Sequence, residues 1–281
     1  MTAPYRWLAL AAGTMIGRRH PFVLCYHGVG SIPPDGDPHG LFIGRELFKR
    51  HLDVIAGRGY RVVSVGELWR LVQGGSDADR QGAITFDDAL VRTSREAIPA
   101  LLERGMGCSM FVATGLMGQP HPDLDGEMIM TGPEVVELAA AGVEIGAHSV
   151  DHPHLNRLQY RDVLDQLRRS RAVLEDLLGK PVTSMAYPYG EANEQTIGAA
   201  DEAGYELACC CSGPGPWRAL TIPREPIHPS VDDLRLRVKL AGLYGPVYTL
   251  KHMRAARRMA REPVSSSIEP GGHEPGTTRM E

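Results

Sequence analysis

Short apolar runs and longer amphipathic stretches alternate along most of this chain. The apolar runs have the length and composition of buried strands, and the stretches between them place apolar residues at helical spacing. The predicted strands cover residues 22–26, 61–65, 83–86, 108–113, 143–147, 183–187 and 206–211. The predicted helices cover residues 45–56, 66–72, 93–104, 133–141, 161–178 and 194–203. This order predicts repeated βαβ units around a parallel sheet.

The pattern favours a barrel over an open nucleotide-binding sheet. Neither a dinucleotide-binding fingerprint nor a phosphate-binding loop follows a predicted strand, whereas a closed or nearly closed barrel fits the chain length. Of the 281 residues, we assign 20–230 to the barrel domain. The other predicted segments are an apolar and basic stretch at 1–19, a basic helical extension at 231–262 and a disordered tail at 263–281.

Two terminal segments have compositions that suit the surface of a membrane. Residues 7–16 are apolar and flanked by arginines, but they are too few to span a bilayer. Residues 251–261 interleave lysine and arginine with methionine and alanine, as surface-bound amphipathic helices do. Peripheral membrane contact is one interpretation. For 7–16 the alternative is a helix that covers the base of the domain, and for 251–261 the alternatives are contact with an acidic partner and a solvated terminal helix.

Charge and cysteine content narrow the class of protein. A formal net charge of −4 argues against nucleic acid as the main partner. Five cysteines, three of them contiguous at 209–211, suit free thiols in a reducing compartment better than a disulfide framework. We therefore expect a cytoplasmic protein, with the membrane surface as an alternative location.

Two polar clusters follow predicted strands and carry the candidate chemistry. Asp87 and Asp88 end one strand as adjacent carboxylates, which repel each other unless a cation or a proton lies between them. His148 and His152 follow another strand four residues apart, so both imidazoles can point to one ion. Carboxylate and imidazole ligands suit a borderline metal such as zinc and leave positions for water and substrate. The sequence therefore predicts a catalytic metal site.

Three ordered motifs resemble those of the polysaccharide deacetylase family, which carries the NodB-homology domain of carbohydrate esterase family 4. The motifs are Thr-Phe-Asp-Asp at 85–88, His-Ser-x-x-His-Pro-x-Leu at 148–155 and Ala-Tyr-Pro-Tyr-Gly at 186–190. Residues 26–27 and 59–64 resemble the family as well. The resemblance implies a distorted (β/α)7 barrel that hydrolyses the N-acetyl group of an amino sugar in a polysaccharide or glycoconjugate.

The resemblance also implies a role for individual residues. Asp88, His148 and His152 would bind one divalent metal ion, with Zn²⁺ preferred and Co²⁺, Mn²⁺ or Ni²⁺ as alternatives. Asp87 would be the general base that takes a proton from the attacking water, and the backbone N–H of Tyr189 would stabilise the oxyanion. These roles agree with the chemistry, because an amide carbonyl needs both polarisation and an activated nucleophile.

The resemblance also indicates a general acid, and two positions depart from the family pattern. Family members often protonate the leaving amine with a histidine late in the chain, and His228 is the candidate here, with a rim histidine as the alternative. The glycine that usually follows the aspartate pair is Ala89, and the arginine that often opens the third motif is Ala186. We hypothesise that Arg224 supports Asp87 instead.

Three further side chains have alternative interpretations. His27 ends the first strand, where it contacts substrate or holds the fold together. Trp217 stacks on a sugar or fills a hydrophobic gap. His154 is interpreted as a surface or helix-capping residue.

An N-acetylated carbohydrate is the expected partner, and two other functions stay open. One is hydrolysis of the C–N bond of a small or cyclic amide on the same barrel, with access decided by a polar loop at 115–130. The other is glycan binding by a metal-containing protein without catalysis. Ala89 and Ala186 are the features that favour this last alternative.

Overall fold

The structure is a computed structural model, and it covers most of the predicted barrel domain. It describes residues 20–75, 78–211 and 217–241. Several predicted segments lie wholly or partly outside the described residues: 1–19, 251–261, 263–281 and the part of 231–262 beyond residue 241. Among the helices that are described, none is long and apolar enough to cross a bilayer.

A parallel sheet of nine strands forms the centre of the fold. The described residues form eleven strands, nine in this sheet and two in a separate pair: β1 (Phe22–Tyr26), β2 (Gly28–Val29), β3 (Phe42–Ile43), β4 (Arg61–Val63), β5 (Gln81–Phe86), β6 (Ser109–Val112), β7 (Glu144–Ala147), β8 (Ser184–Ala186), β9 (Leu207–Cys210), β10 (Ile222–Pro223) and β11 (Glu225–Pro226). β2 and β3 pair with each other, and the main sheet runs β10-β9-β8-β7-β6-β5-β1-β11, with β4 added against β5.

Helices cover the outside of the sheet and connect successive strands. They are α1 (Arg45–Gly57), α2 (Val65–Gln73), α3 (Val91–Glu96), α4 (Ile98–Leu102), α5 (Gly132–Ala140), α6 (Tyr160–Leu178), α7 (Glu194–Glu202) and α8 (Asp233–Leu240). The longest, α6, ends at Gly179, whose left-handed backbone (φ 63°) stops the helix as a glycine at this position commonly does. The predicted alternation of strands and helices is confirmed.

One continuous stretch, residues 222–226, closes the sheet. β10 pairs with β9 at one end of the strand order, and β11 pairs with β1 at the other. Strand β1 and strands β5 to β9 take six positions around a nearly closed barrel, and the segment formed by β10 and β11 takes the seventh. The predicted distorted (β/α)7 barrel is therefore confirmed.

Helix α2 closes the end of the barrel opposite the carboxyl ends of the strands. The backbone N–H of Val65 donates to Ser109 Oγ at the start of β6, and that of Gly66 donates to Glu144 Oε2 at the start of β7. Val65 belongs to the cluster of buried side chains inside the barrel, and Trp217 packs against the same cluster. Trp217 therefore has the packing that the hydrophobic-gap interpretation requires.

The structure differs from the predictions mainly where elements are short or contain proline. The predicted helix 93–104 is two helices, α3 and α4, because Pro99 has no N–H to donate and its ring crowds the preceding turn. Strands β10 and β11 were not predicted, since two residues each are too few to show a period.

Candidate active site

The carboxyl ends of the parallel strands surround one cavity of about 340 Å³. In parallel barrels the loops at these ends carry the reactive residues. Five of the residues predicted from the sequence line this cavity: Asp87, Asp88, His148, His152 and Tyr189. Residues far apart in the chain thus share a single chamber.

Asp88, His148 and His152 have the spacing of metal ligands. Asp88 Oδ1 lies 3.8 Å from His148 Nε2 and 3.6 Å from His152 Nε2, and one potential ligand atom from each residue lies within 4.8 Å of the others. These distances exceed those of hydrogen bonds, about 2.7–3.2 Å. They match the separation of roughly 3.3–3.8 Å between ligands of a tetrahedral ion with bonds of about 2.0–2.3 Å. The donor atoms therefore fit a zinc-like ion.

His148 presents an unprotonated nitrogen to this position, and His152 is neutral. His148 Nδ1 lies 2.7 Å from the carbonyl oxygen of Ala186. Because a carbonyl only accepts, Nδ1 carries the proton and Nε2 has the free lone pair. Burial, and then the neighbouring His148, lower the pKa of His152 to about 4, so His152 is neutral at physiological pH.

Asp87 is held by Arg224 inside the barrel. Arg224 Nη1 donates to Asp87 Oδ1 over 2.6 Å, and Nη2 donates to Oδ2 over 2.8 Å. Nη1 also reaches Thr85 Oγ1 at 3.2 Å, and the guanidinium lies 5.5 Å from the ring centre of Phe111. Burial alone would raise the pKa of Asp87, but the Arg224 cation, followed by His148, lowers it to about 2. Asp87 is thus a buried, ionised carboxylate.

Arg224 reaches this position because of strand alternation and barrel closure. It lies between β10 and β11, and its N–H donates to the carbonyl of Cys210 at the end of β9. Side chains two apart in a strand share a face, so Arg224 lies on the inner side together with Ile222. The contact that our hypothesis on the support of Asp87 requires is present.

A histidine from the 115–130 loop lies against Asp88. His121 Nδ1 accepts a hydrogen bond from the backbone N–H of Asp123, so the proton of the neutral ring is on Nε2. That Nε2 lies 3.5 Å from Asp88 Oδ2. Burial would raise the pKa of Asp88, but His121 and the other nearby histidines lower it well below its usual range. Asp88 is therefore ionised, and its carboxylate lies between His121 on one side and the predicted ligands His148 and His152 on the other.

Strained backbone conformations concentrate at this site. Among the described residues, every non-glycine residue with a positive φ belongs to one of the three motifs or follows the aspartate pair directly. These residues are Asp88 (φ 67°), Ala89 (φ 51°), Ser149 (φ 63°), His152 (φ 54°) and Tyr189 (φ 58°). Such conformations cost of order 1 kcal/mol or more each and persist where the surrounding structure enforces them. Ala89 adopts the conformation that the usual glycine would adopt without strain.

Tyr189 forms one wall of the cavity. Its side chain is half exposed, and its ring stacks on that of His154 at a centroid distance of 3.7 Å and an angle of 11°. His154 Nδ1 in turn lies 3.1 Å from Glu191 Oε2. His154 makes no side-chain hydrogen bond as a helix cap; its ring supports Tyr189.

The structure places His27, and not His228, at the cavity. His228 is exposed, its Nδ1 lies 3.3 Å from the carbonyl of Gly40, and it is absent from the residues that line the chamber. His27 lines the chamber, with Nε2 3.8 Å from Asp87 Oδ2 and a side chain that is 23% exposed. The structure therefore does not bring His228 together with the other predicted site residues.

Sequence reasoning missed several residues of the chamber. His39, His121, Asp123 and Cys211 all line it. The only available signal was for His121 and Asp123, because both fall in the long polar loop predicted at the rim of a site. Cys211 had none, since a cysteine at the end of a buried strand has the pattern of an ordinary core residue.

Comparison with known proteins finds one matching family model and several relatives. Residues 74–208 match the family model described as polysaccharide deacetylase. YxkH of Bacillus subtilis, a candidate polysaccharide deacetylase, is 26% identical over 186 residues, which are 66% of this chain and 62% of that protein. The peptidoglycan-N-acetylmuramic acid deacetylase PdaC of the same organism is 27% identical over 113 residues, 40% of this chain and 22% of PdaC. The chain spans less than two thirds of either relative.

Solved structures share the fold. IcaB from Ammonifex degensii superimposes with a TM-score of 0.69 at 23% identity, covering 79% of this chain and 97% of that one. The Streptococcus pyogenes deacetylase PplD, solved in complex with acetate, gives a TM-score of 0.68 at 23% identity, covering 78% and 96%. These similarities establish the same barrel.

Proposed function

We propose that this chain, whose residues 74–208 match the polysaccharide deacetylase family model, is a metal-dependent hydrolase that removes the N-acetyl group from an amino sugar. One observation carries this proposal. The Asp88, His148 and His152 ligand atoms lie within 4.8 Å of one another, next to a second carboxylate, Asp87, that Arg224 holds ionised.

The donor set supports a borderline divalent ion, with Zn²⁺ preferred and Co²⁺, Mn²⁺ or Ni²⁺ as alternatives. Asp88, His148 and His152 would hold it, since one oxygen and two nitrogens are typical of catalytic zinc sites that keep an open position. Such an ion supplies Lewis-acid polarisation of the amide carbonyl and makes water more acidic.

Asp87 is the residue that accepts the proton of the attacking water. It is ionised at neutral pH, and Arg224 orients both of its oxygens. Its Oδ2 lies 3.9 Å from His148 Nε2, so the base stands beside the proposed ligands. A carboxylate positioned within reach of the nucleophile contributes about 10²- to 10⁴-fold to rate.

Tyr189 and His27 complete the proposed reaction. The Tyr189 backbone is fixed in a left-handed turn at the edge of the cavity, and its N–H is proposed to donate to the oxyanion. His27 is proposed to protonate the leaving amine in place of His228, because His27 lines the cavity and lies next to Asp87. The proton that Asp87 receives and the one that His27 donates balance in the products, acetate and a free amine.

We propose an N-acetylated polysaccharide or glycoconjugate as the substrate. Two relatives support this class by name: the peptidoglycan-N-acetylmuramic acid deacetylase PdaC and a chitin deacetylase from Pestalotiopsis, 27% identical over 125 residues. The chamber reaches the protein surface, since His39 and Tyr189, which line it, are exposed.

The direct test measures acetate release together with metal content. The purified protein is stripped with a chelator, reloaded with one equivalent of Zn²⁺, Co²⁺, Mn²⁺ or Ni²⁺, and incubated with peptidoglycan, chitin oligosaccharides and a panel of cyclic amides. We expect acetate from at least one N-acetylated glycan, only with metal. Ring opening of a cyclic amide without acetate release would favour the small-amide hydrolase, and tight glycan binding without any product would favour a non-catalytic protein.

A further inference from the structure

A thiol lies beside the proposed base and has no part in the reaction above. Cys25 is fully buried in β1, and its Sγ lies 3.4 Å from Asp87 Oδ2. We propose that Cys25, His27 and Asp87 form a second cation site, selective for thiophilic ions such as Zn²⁺ or Cd²⁺, and that its occupation inhibits the enzyme.

Strand geometry places these three ligands together. Cys25 lies on the inner face of β1, and His27, two positions later, follows the same side at the end of the strand. β1 and β5 are parallel and in register, with Cys25 opposite Thr85, so Asp87 lies beside His27. The arrangement thus follows from the pairing of two central strands and does not depend on a mobile loop.

The distances suit a tetrahedral ion. His27 Nε2 lies 3.8 Å from Asp87 Oδ2, and one potential ligand atom from each of the three residues lies within 4.8 Å of the others. Ligands of a tetrahedral zinc ion lie roughly 3.3–3.8 Å apart. His27 and Asp87 both line the cavity, so an ion can enter from the same opening as the substrate.

The charges allow an ion here, although Arg224 competes for it. On binding, Cys25 would lose its S–H proton to solvent, so thiolate and carboxylate together balance a divalent cation. Arg224 donates to both oxygens of Asp87. The Nη2–Oδ2 bond would have to be shared or broken, whereas the Nη1–Oδ1 bond would remain.

The sulfur ligand gives the site its selectivity. Thiolates prefer zinc, cadmium and other soft ions over magnesium or calcium. An ion on Asp87 Oδ2 would occupy the lone pair that accepts the proton from water. This consequence rests on the proposed function: one equivalent of Zn²⁺ activates the protein, and a second inhibits it. The binding itself does not depend on catalysis.

The test counts cadmium ions and detects the thiolate. Chelator-stripped full-length protein in a non-thiol reductant is dialysed against Cd²⁺, and bound metal is measured together with the ultraviolet charge-transfer band of a cadmium thiolate. We expect two tightly bound ions in the wild type and the band with one of them. Cys25→Ser should lose one ion and the band. The matched control Cys108→Ser, another buried cysteine, should retain both.

Two further variants distinguish the second cation site from the proposed catalytic metal site. Asp88→Ala should lose the other ion and keep the band, so failure of the proposed catalytic site does not remove this result. His27→Ala, at a partly exposed position, should require a higher Cd²⁺ concentration to develop the band. A band of wild-type strength in Cys25→Ser, or no band in the wild type, would overturn the proposal.

Discussion

Asp87 and Asp88 are adjacent in the chain but lie in two different electrostatic regions. Asp87 belongs to the arginine side of the chamber, formed with Arg224, Thr85 and Cys25. Asp88 belongs to the histidine side, formed with His121, His148 and His152. Both carboxyl groups are buried and ionised, yet the first is paired with a cation of the protein and the second faces imidazole rings.

The difference shows how one strand end provides two functions. Asp87 continues the alternation of β5 and enters the barrel, whereas Asp88 has a left-handed backbone that turns its side chain to the histidines. Arg224 neutralises one of two adjacent negative charges, so only Asp88 requires an external cation. A base and a metal ligand can therefore stand side by side without sharing the same partner.

The largest expected effect separates the two aspartates. We expect Asp88→Ala to lose both metal and turnover, because it removes the only carboxylate of the ligand set. Asp87→Asn should keep the metal and lose about 10²- to 10⁴-fold in turnover, because its amide cannot accept the proton. Metal analysis and acetate release measure the two properties. Asp123→Asn, an exposed carboxylate at the cavity edge, is the control that should change neither much. Full activity in Asp87→Asn would show that the assigned base is wrong.

A smaller effect is expected when the arginine side loses its cation. Arg224→Ala leaves Asp87 as a buried charge without its paired cation, and we expect the free energy of unfolding to fall by about 3–5 kcal/mol. Turnover should fall as well, since Asp87 loses its orientation. Urea unfolding of the stripped protein measures the first effect. Arg61→Ala, an exposed arginine paired with Glu67, should cost less than about 1 kcal/mol. Equal stability of the two variants would contradict the role of Arg224.

Arg224→Lys refines this prediction. The lysine keeps the positive charge but cannot donate to both oxygens of Asp87 in the planar geometry of a guanidinium. We expect stability to recover in part and turnover to remain low. Recovery of full turnover would show that charge alone, and not orientation, is what Asp87 needs.

The smallest expected effect is on the histidine side. Residues that orient a metal ligand typically contribute about 10- to 100-fold to metal affinity, and His121 Nε2 lies 3.5 Å from Asp88 Oδ2. His121→Ala should therefore weaken metal binding by that factor, as competition with a chelator would show. His39→Ala, an exposed histidine of the same chamber, serves as the control. Unchanged affinity in His121→Ala would remove this residue from the site.

Sequence reasoning succeeded where the signal is local. The strand Phe22–Tyr26 was predicted at its observed bounds, and the long helix α6 within a residue of them, because buried strands and amphipathic helices have distinct periods. The spacing of His148 and His152 likewise predicted that both could face one ion. These patterns depend on neighbours in the chain, which the sequence contains.

Reasoning from sequence failed where the outcome depends on chain closure. His228 was the candidate acid because of its position late in the chain, but the segment 222–226 closes the barrel and leaves His228 outside the chamber. His121 and Cys211 were missed because nothing in their local pattern distinguishes them from a loop residue and a core thiol.

The sequence by itself determined the parallel barrel, the three motifs and the identity of the residues at the strand ends, because periodicity and adjacency are properties of the chain. Only the tertiary structure decided which histidine faces the cavity and which cation stands beside each aspartate. Arg224 and Asp87 are 137 positions apart, and their contact exists because β10 and β11 complete the ring. Ion pairs between residues this far apart in the chain depend on how the barrel closes, and local sequence patterns do not show them.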